Sequence, residues 1–218
     1  EDLPSVDEAR GLATRILELL HLPIAVADMD LTVAASIGLA VAQHDSTVET
    51  LLRDADTAMY AAKAKGKDRL ELFDDALRVA AERRLTLRVE LPSALREGQM
   101  RLDYQPIFGI GSRLLTGFEA LARWDHPARG SVPPNEFIPI AEETGLISSI
   151  GEWVLESACR QAAAWVRKGL PPVRVAVNLS ARQFYSPGFI DSVRRILAES
   201  EVRPGAIELE MTQAQLLL

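Results

Sequence analysis

The chain has 218 residues, 48% of them hydrophobic, which is enough apolar material for one large or two modest folded domains and argues against disorder. Its 31 acidic residues outweigh 24 basic ones for a formal net charge of −7, so no basic stripe is available to track a DNA or RNA backbone, although a small nucleotide can still meet a locally positive site. One cysteine, Cys159, excludes an intrachain disulfide and a cysteine-rich zinc site, and no apolar run is long enough to span a bilayer.

The chain opens on Glu1-Asp2-Leu3-Pro4, without a methionine or leader, and reads as the interior of a longer protein. Ser5, Asp7 and Glu8 mark a helix start, and Leu12, Ile16, Leu19 and Leu20 repeat at helical spacing as far as Pro23. In residues 24–42 two runs rich in Val, Ile, Ala and Thr flank Asp28-Met29-Asp30, which predicts a hairpin with a polar turn. Ser46 is the predicted cap of a second helix carrying Leu51, Leu52, Ala55, Met59 and Tyr60, ending at Gly66. A short strand follows at 70–73.

Residues 74–97 interleave Arg and Glu with Leu and Val and read as a helical connector. Pro92 fits either the first turn of a separate helix or a kink in a continuous one. Beyond Gly98 the pattern predicts strands near 100–107 and 114–124, a helix from about Asn135, a longer one over 148–168, a strand at 173–178, a helix near 188–199 and a strand at 206–211. From the second of these strands onward, strand and helix alternate as in a helix-covered parallel sheet. Cys159 falls on the long helix and reads as a small buried residue.

The chemistry concentrates on strand ends. A period of two places Glu119, Leu121 and Arg123 on one face of their strand and Phe118, Ala120, Ala122 and Trp124 on the other. The apolar set must meet the helices, which leaves a carboxylate and a guanidinium on the inner face, where a ligand or metal is the usual compensation. Glu208 and Glu210 repeat the arrangement near residue 210, and the strand Val173–Val177 ends at Asn178. Two carboxylates and a carboxamide suit Mg²⁺ or Mn²⁺. On pattern alone an internal Glu119–Arg123 ion pair, with Asn178 capping the next helix, accounts for the same residues equally well. His21, His44 and His126 have no ligand spacing and are assigned no role.

Tyr104-Gln105-Pro106-Ile107, Glu119-Ala120-Leu121 with Arg123-Trp124, residues 137–142 with Gly145, Val177-Asn178-Leu179-Ser180 and residues 207–212 together resemble, in order, the motifs of the EAL phosphodiesterase family over 99–218. That family is a (β/α)8 TIM-like barrel that opens cyclic di-GMP to the linear dinucleotide pGpG with two divalent metals, Mg²⁺ or Mn²⁺. The resemblance implies that Glu119, Asn178 and Glu210 are metal ligands and that Gln105, Leu121 and Arg123 contact the cyclic dinucleotide. Arg123 suits a phosphate because its planar fork can donate two hydrogen bonds.

Earlier in the chain, residues 35–38, Asp54-Ala55-Asp56, residues 58–60 and Lys63 through Lys67 are similar to the closing segments of a GGDEF domain, in which Lys63 and Lys67 would approach GTP phosphates. The alternative for these lysines is a solvated helix end that favours the helix dipole.

The expected fold is therefore α/β: a partial α+β GGDEF remnant (1–75), a helical connector (76–98) and the first half of an EAL barrel (99–218). The resemblance also implies a cytoplasmic location for this segment and admits a homodimer of the parent. It departs from the family in three ways. The GGDEF signature loop would precede Glu1. The later EAL motifs would follow Leu218, since such a barrel needs about 250 residues. Gln213 stands where the family usually has a glutamate that holds a catalytic loop, which leaves a degenerate, cyclic di-GMP-binding regulatory module as the alternative to an enzyme. On this view the isolated chain is itself inactive and folds poorly, because half a barrel leaves strand edges unpaired.

Overall fold

The computed structural model describes residues 5–27, 29–203 and 205–211, and divides into two compact units, Glu1–Leu85 and Thr86–Leu218. In the first unit α1 (Val6–Leu20) begins where predicted: the Ser5 side chain accepts a hydrogen bond from the Glu8 amide, and Asp7 and Glu8 sit at the positive end of the helix dipole. The hairpin is shorter than predicted. Strands β1 (Ile24–Val26) and β2 (Met29–Leu31) pair antiparallel with Val26 opposite Met29, but the second half of the run forms a different strand, β3 (Ile37–Leu39).

Strand β3 pairs parallel with β4 (Leu70–Leu72), and α2 (Val48–Ala64) makes the crossover that a parallel pair requires. Gly38 permits the helix to close on the strand, because a Cβ there would lie 2.0 Å from the Ala55 carbonyl oxygen. The cap of α2 is Thr47, not Ser46. Thr47 accepts from the Thr50 amide while Thr50 Oγ1 accepts from the Thr47 amide, and the Ser46 hydroxyl instead accepts from the Gln43 amide.

Helix α3 (Asp75–Arg96) is continuous with Pro92 inside it, which decides between the two placements of that proline. Its second half buries Leu87, Leu91 and Ala94 in the core of the second unit. There β5 (Met100–Phe108) and β6 (Leu115–His126) pair antiparallel, β7 (Gly130–Val132) adds to β6, and β8 (Arg174–Asn178) and β9 (Ile207–Glu210) follow in parallel, in the order β5-β6-β8-β9. The sheet is open among the described residues, not a closed barrel. The parallel arrangement predicted from the second strand onward holds for β6, β8 and β9.

Helices α4 (Pro134–Thr144), α5 (Ile147–Arg167) and α7 (Phe189–Glu199) form near the predicted limits, while the short α6 (Ala181–Phe184) and β7 were not predicted. The apolar face of β6 meets the helices as its alternation requires: Ala120 and Trp124 are buried with Val175, Val177, Phe137, Ile140, Ile150 and Ala158. Trp124 and Phe137 meet edge to face at 6.1 Å, and Trp165 packs 5.0 Å from Tyr104 and 4.8 Å from Phe118. Cys159 is fully buried beside Leu155 and Ile196, as its position on a helix suggested. No helix among the described residues is long and apolar enough to cross a membrane.

Candidate functional site

With Trp124 and Ala120 drawn to the helices, strand alternation puts Glu119, Leu121, Arg123 and Asp125 on the opposite face of β6. The β5 register sets Gln105 across from Glu119, Asp103 across from Leu121 and Arg101 across from Arg123. In the parallel direction Ala176 lies beside both Glu119 and Glu208, and Asn178 beside Glu210. One face of four strands thus carries Gln105, Glu119, Leu121, Arg123, Asn178, Glu208 and Glu210.

Asn178 and Glu210 close β8 and β9, but Glu119, expected at a strand end, lies within β6, which runs on to His126; Asn178 Nδ2 donates to Glu119 Oε1 at 2.6 Å. Asn178 does not cap the following helix; Ser180, two residues on, does, in a capping box with Gln183. Glu119 does not pair with Arg123 either, so both contacts of the structural alternative are absent among the described residues. Because the amide nitrogen of Asn178 serves Glu119, its carbonyl oxygen is the atom left for a cation. With Glu210 next to Asn178 in register, this set fits a hard divalent ion. Among the described residues no three His, Cys, Asp or Glu side chains gather as a metal cage, so an ion here must be shared with the carboxamide or with further groups.

Arg123 is held further down the strand. Its Nε donates to Asp103 Oδ2 at 2.9 Å and its Nη1 to the Ala122 carbonyl at 3.0 Å. Arg101 donates to the other oxygen of Asp103 and, at 2.6 Å, to Asp125, whose hydrogen bond raises the arginine's pKa further. Neither Asp103 nor Arg101 was picked out from the sequence. The signal was there, since both stand at even spacing from Gln105 on the strand that opens the EAL-like motifs, but their use depends on the register with β6.

Other features stand apart. Tyr104 faces the helices, where burial beside Trp165 pushes its phenol up to about 12. A cavity of about 190 Å³ between α5, α7 and β8 touches the site through Asn178. His126, assigned no role, is buried; its Nδ1 accepts from the Ala128 amide and its Nε2 lies 2.7 Å from Glu90 of α3. Lys63 occupies the last turn of α2 and Lys67 follows in a left-handed conformation, both exposed, while the neighbouring Lys65 pairs with Glu71 at 2.6 Å. Gln213 lies outside the described residues.

Fold and site together define an α/β domain that gathers Glu119, Asn178 and Glu210 on one face of a sheet whose β6, β8 and β9 run parallel. The chain belongs to the EAL domain family, which it matches over residues 88–217, and residues 2–69 match the diguanylate cyclase GGDEF domain. It is 38% identical over 208 residues to the bifunctional diguanylate cyclase/cyclic di-GMP phosphodiesterase MucR of Pseudomonas aeruginosa, covering 95% of this chain and 30% of that protein. An uncharacterized signaling protein of Caulobacter vibrioides is 37% identical over 99% of this chain and 26% of its own length. The chain therefore spans less than a third of either relative.

Among solved structures, the PaMucR phosphodiesterase in complex with c-di-GMP superposes with a TM-score of 0.57 at 44% identity, over 59% of this chain and 52% of that one. A Vibrio cholerae LapD structure spanning an S helix, GGDEF and EAL gives 0.60 over 96% of this chain and 48% of its own; at 15% identity it shows the shared fold alone.

Proposed function

We propose that the protein carrying this chain hydrolyses cyclic di-GMP to linear pGpG. The observation that carries the reading is the Glu119–Asn178 contact with Glu210 in register beside it, on one polar face of three parallel strands. EAL phosphodiesterases are metal-dependent, and two relatives of this chain, NbdA of Pseudomonas aeruginosa and PdeR of Escherichia coli, are named as cyclic di-GMP phosphodiesterases. Glu119, Asn178 and Glu210 would hold Mg²⁺ or Mn²⁺, which when bound polarises the phosphate and makes hydroxide available near neutral pH. Arg123 would take a phosphate oxygen, with Gln105 and Leu121 lining the nucleotide alongside it. The Glu119–Asn178 bond keeps the carboxamide oriented before any ligand arrives, so less ordering is left to be done on binding.

The same reading assigns residues 1–75 to the end of a GGDEF domain, 76–98 to a helical connector and 99–218 to the first half of an EAL domain. Lys63 and Lys67 would face GTP phosphates in the complete GGDEF domain. The 218-residue chain by itself is then inactive. A second reading rests on Gln213: with a neutral side chain where the family usually has glutamate, the domain would bind cyclic di-GMP and pass on the signal without turnover. The assay is chromatography of cyclic di-GMP incubated with the full-length gene product and Mg²⁺ or Mn²⁺. Linear dinucleotide that disappears with a chelator supports the enzyme; tight binding with no product supports the second reading; neither binding nor product contradicts both.

A further inference from the structure

The register of β5 on β6 sets Arg101 directly opposite Arg123, and like charges facing each other across a strand pair are destabilising. Asp103, two pairs further along, resolves the conflict by reaching both: one carboxylate oxygen accepts from Arg101 and the other accepts from Arg123 Nε at 2.9 Å. Arg101 is tied again to Asp125 at 2.6 Å, so the four charges alternate in sign and cancel. Arg123 is meanwhile fixed at two points, Nε on Asp103 and Nη1 on the Ala122 carbonyl, with its side chain only 24% exposed. Among the described residues Nη2 and the second hydrogen of Nη1 are left. The arginine thus presents the end of its guanidinium, and the side edge, Nε with Nη2, is already occupied in part.

We infer that Asp103 is a positioning residue for nucleotide binding. It clamps Arg123 by Nε so that the guanidinium end points to a phosphate oxygen, and Arg101 neutralises the clamp so that its charge does not repel the phosphate. The inference rests on the assignment of Arg123 to a phosphate. Simple electrostatics gives the opposite expectation, because removing an anion near a phosphate site should tighten binding. The two differ in what an uncharged oxygen does. Asp103→Asn removes the charge and keeps an acceptor for Nε; Asp103→Ala removes both.

The test is calorimetric titration of cyclic di-GMP into the full-length protein, in chelator-containing buffer so that no ligand is consumed, at low and high salt. Clamping predicts that Asp103→Ala binds about tenfold more weakly at both salt concentrations, that Asp103→Asn stays close to wild type, and that Asp103→Ala has no further effect in an Arg123→Ala background. Tighter binding by Asp103→Asn, or wild-type affinity of Asp103→Ala, overturns the inference. If the alanine variant does not fold, Asp103→Leu, which fills the position without an acceptor for Nε, takes its place with the same expected and overturning results. If Arg123→Ala binds as well as wild type, the phosphate assignment fails instead, which separates that failure from this one.

Discussion

At the scale of single residues, the functional face is built by side chains whose partners are distant in sequence but adjacent in space. Gly151 shows how tightly the support behind it is drawn: a Cβ there would lie 1.5 Å from the Gln183 amide nitrogen, and Gln183 is buried while it completes the capping box with Ser180, two residues beyond Asn178. Gly151→Ala should therefore expel Gln183 and cost about 1–3 kcal/mol in a urea melt; an unchanged midpoint would show that the glutamine moves aside freely. Tyr104 offers a readout of the opposite face. Its phenol ionises at about 12 in the folded protein against an ordinary 10.0, because burial disfavours the phenolate. Between those values the folded state keeps a proton that the unfolded chain has lost, so this group's stabilisation is complete below pH 10 and falls as pH rises toward 12. The absorbance difference between wild type and Tyr104→Phe should titrate near the upper value, and a midpoint near the lower one would mean the ring is open to water. The residue types at the site were legible in the sequence because alternation fixes which side chains share a face. Their contacts were not. Glu119 could equally have met Arg123, and only the register, which brings Asp103 to Arg123 and Asn178 to Glu119, removes that choice.

At the scale of elements, the reading succeeded where periodicity was long and failed where two short signals competed. The long α5 and the alternating β6 formed close to their predicted limits. The run at 24–42 looked like a single hairpin because both halves have strand composition, yet β3 gains a parallel partner 33 positions later, β4, with α2 packed over both. Sequence composition cannot report a partner so distant. The cap of α2 was misplaced by one residue because Ser46 and Thr47 are both good caps; Thr50 decides, since it stands three residues after Thr47 and closes the reciprocal box. Thr47→Ala should accordingly lower stability by about 1 kcal/mol while Ser46→Ala costs only a few tenths, read as the shift in thermal midpoint of the two variants. The reverse order would return the cap to Ser46. Helix α6 escaped notice because it is a single turn.

At the scale of the molecule, the chain divides into two units, and helix α3 contributes Leu87, Leu91 and Ala94 to the hydrophobic core of the second. Ordered motifs made both families legible, whereas composition alone said only that the chain folds and does not track nucleic acid. The central claim is that Glu119, Asn178 and Glu210, on one face of β6, β8 and β9, form the cation pole of a cyclic di-GMP phosphodiesterase. The most direct test is the Mn²⁺ dependence of cyclic di-GMP turnover by the full-length protein, wild type beside Glu119→Ala. The account predicts saturable activation of the wild type and a loss of about a hundredfold or more in the variant; turnover that ignores the metal, or survives the substitution, would contradict it.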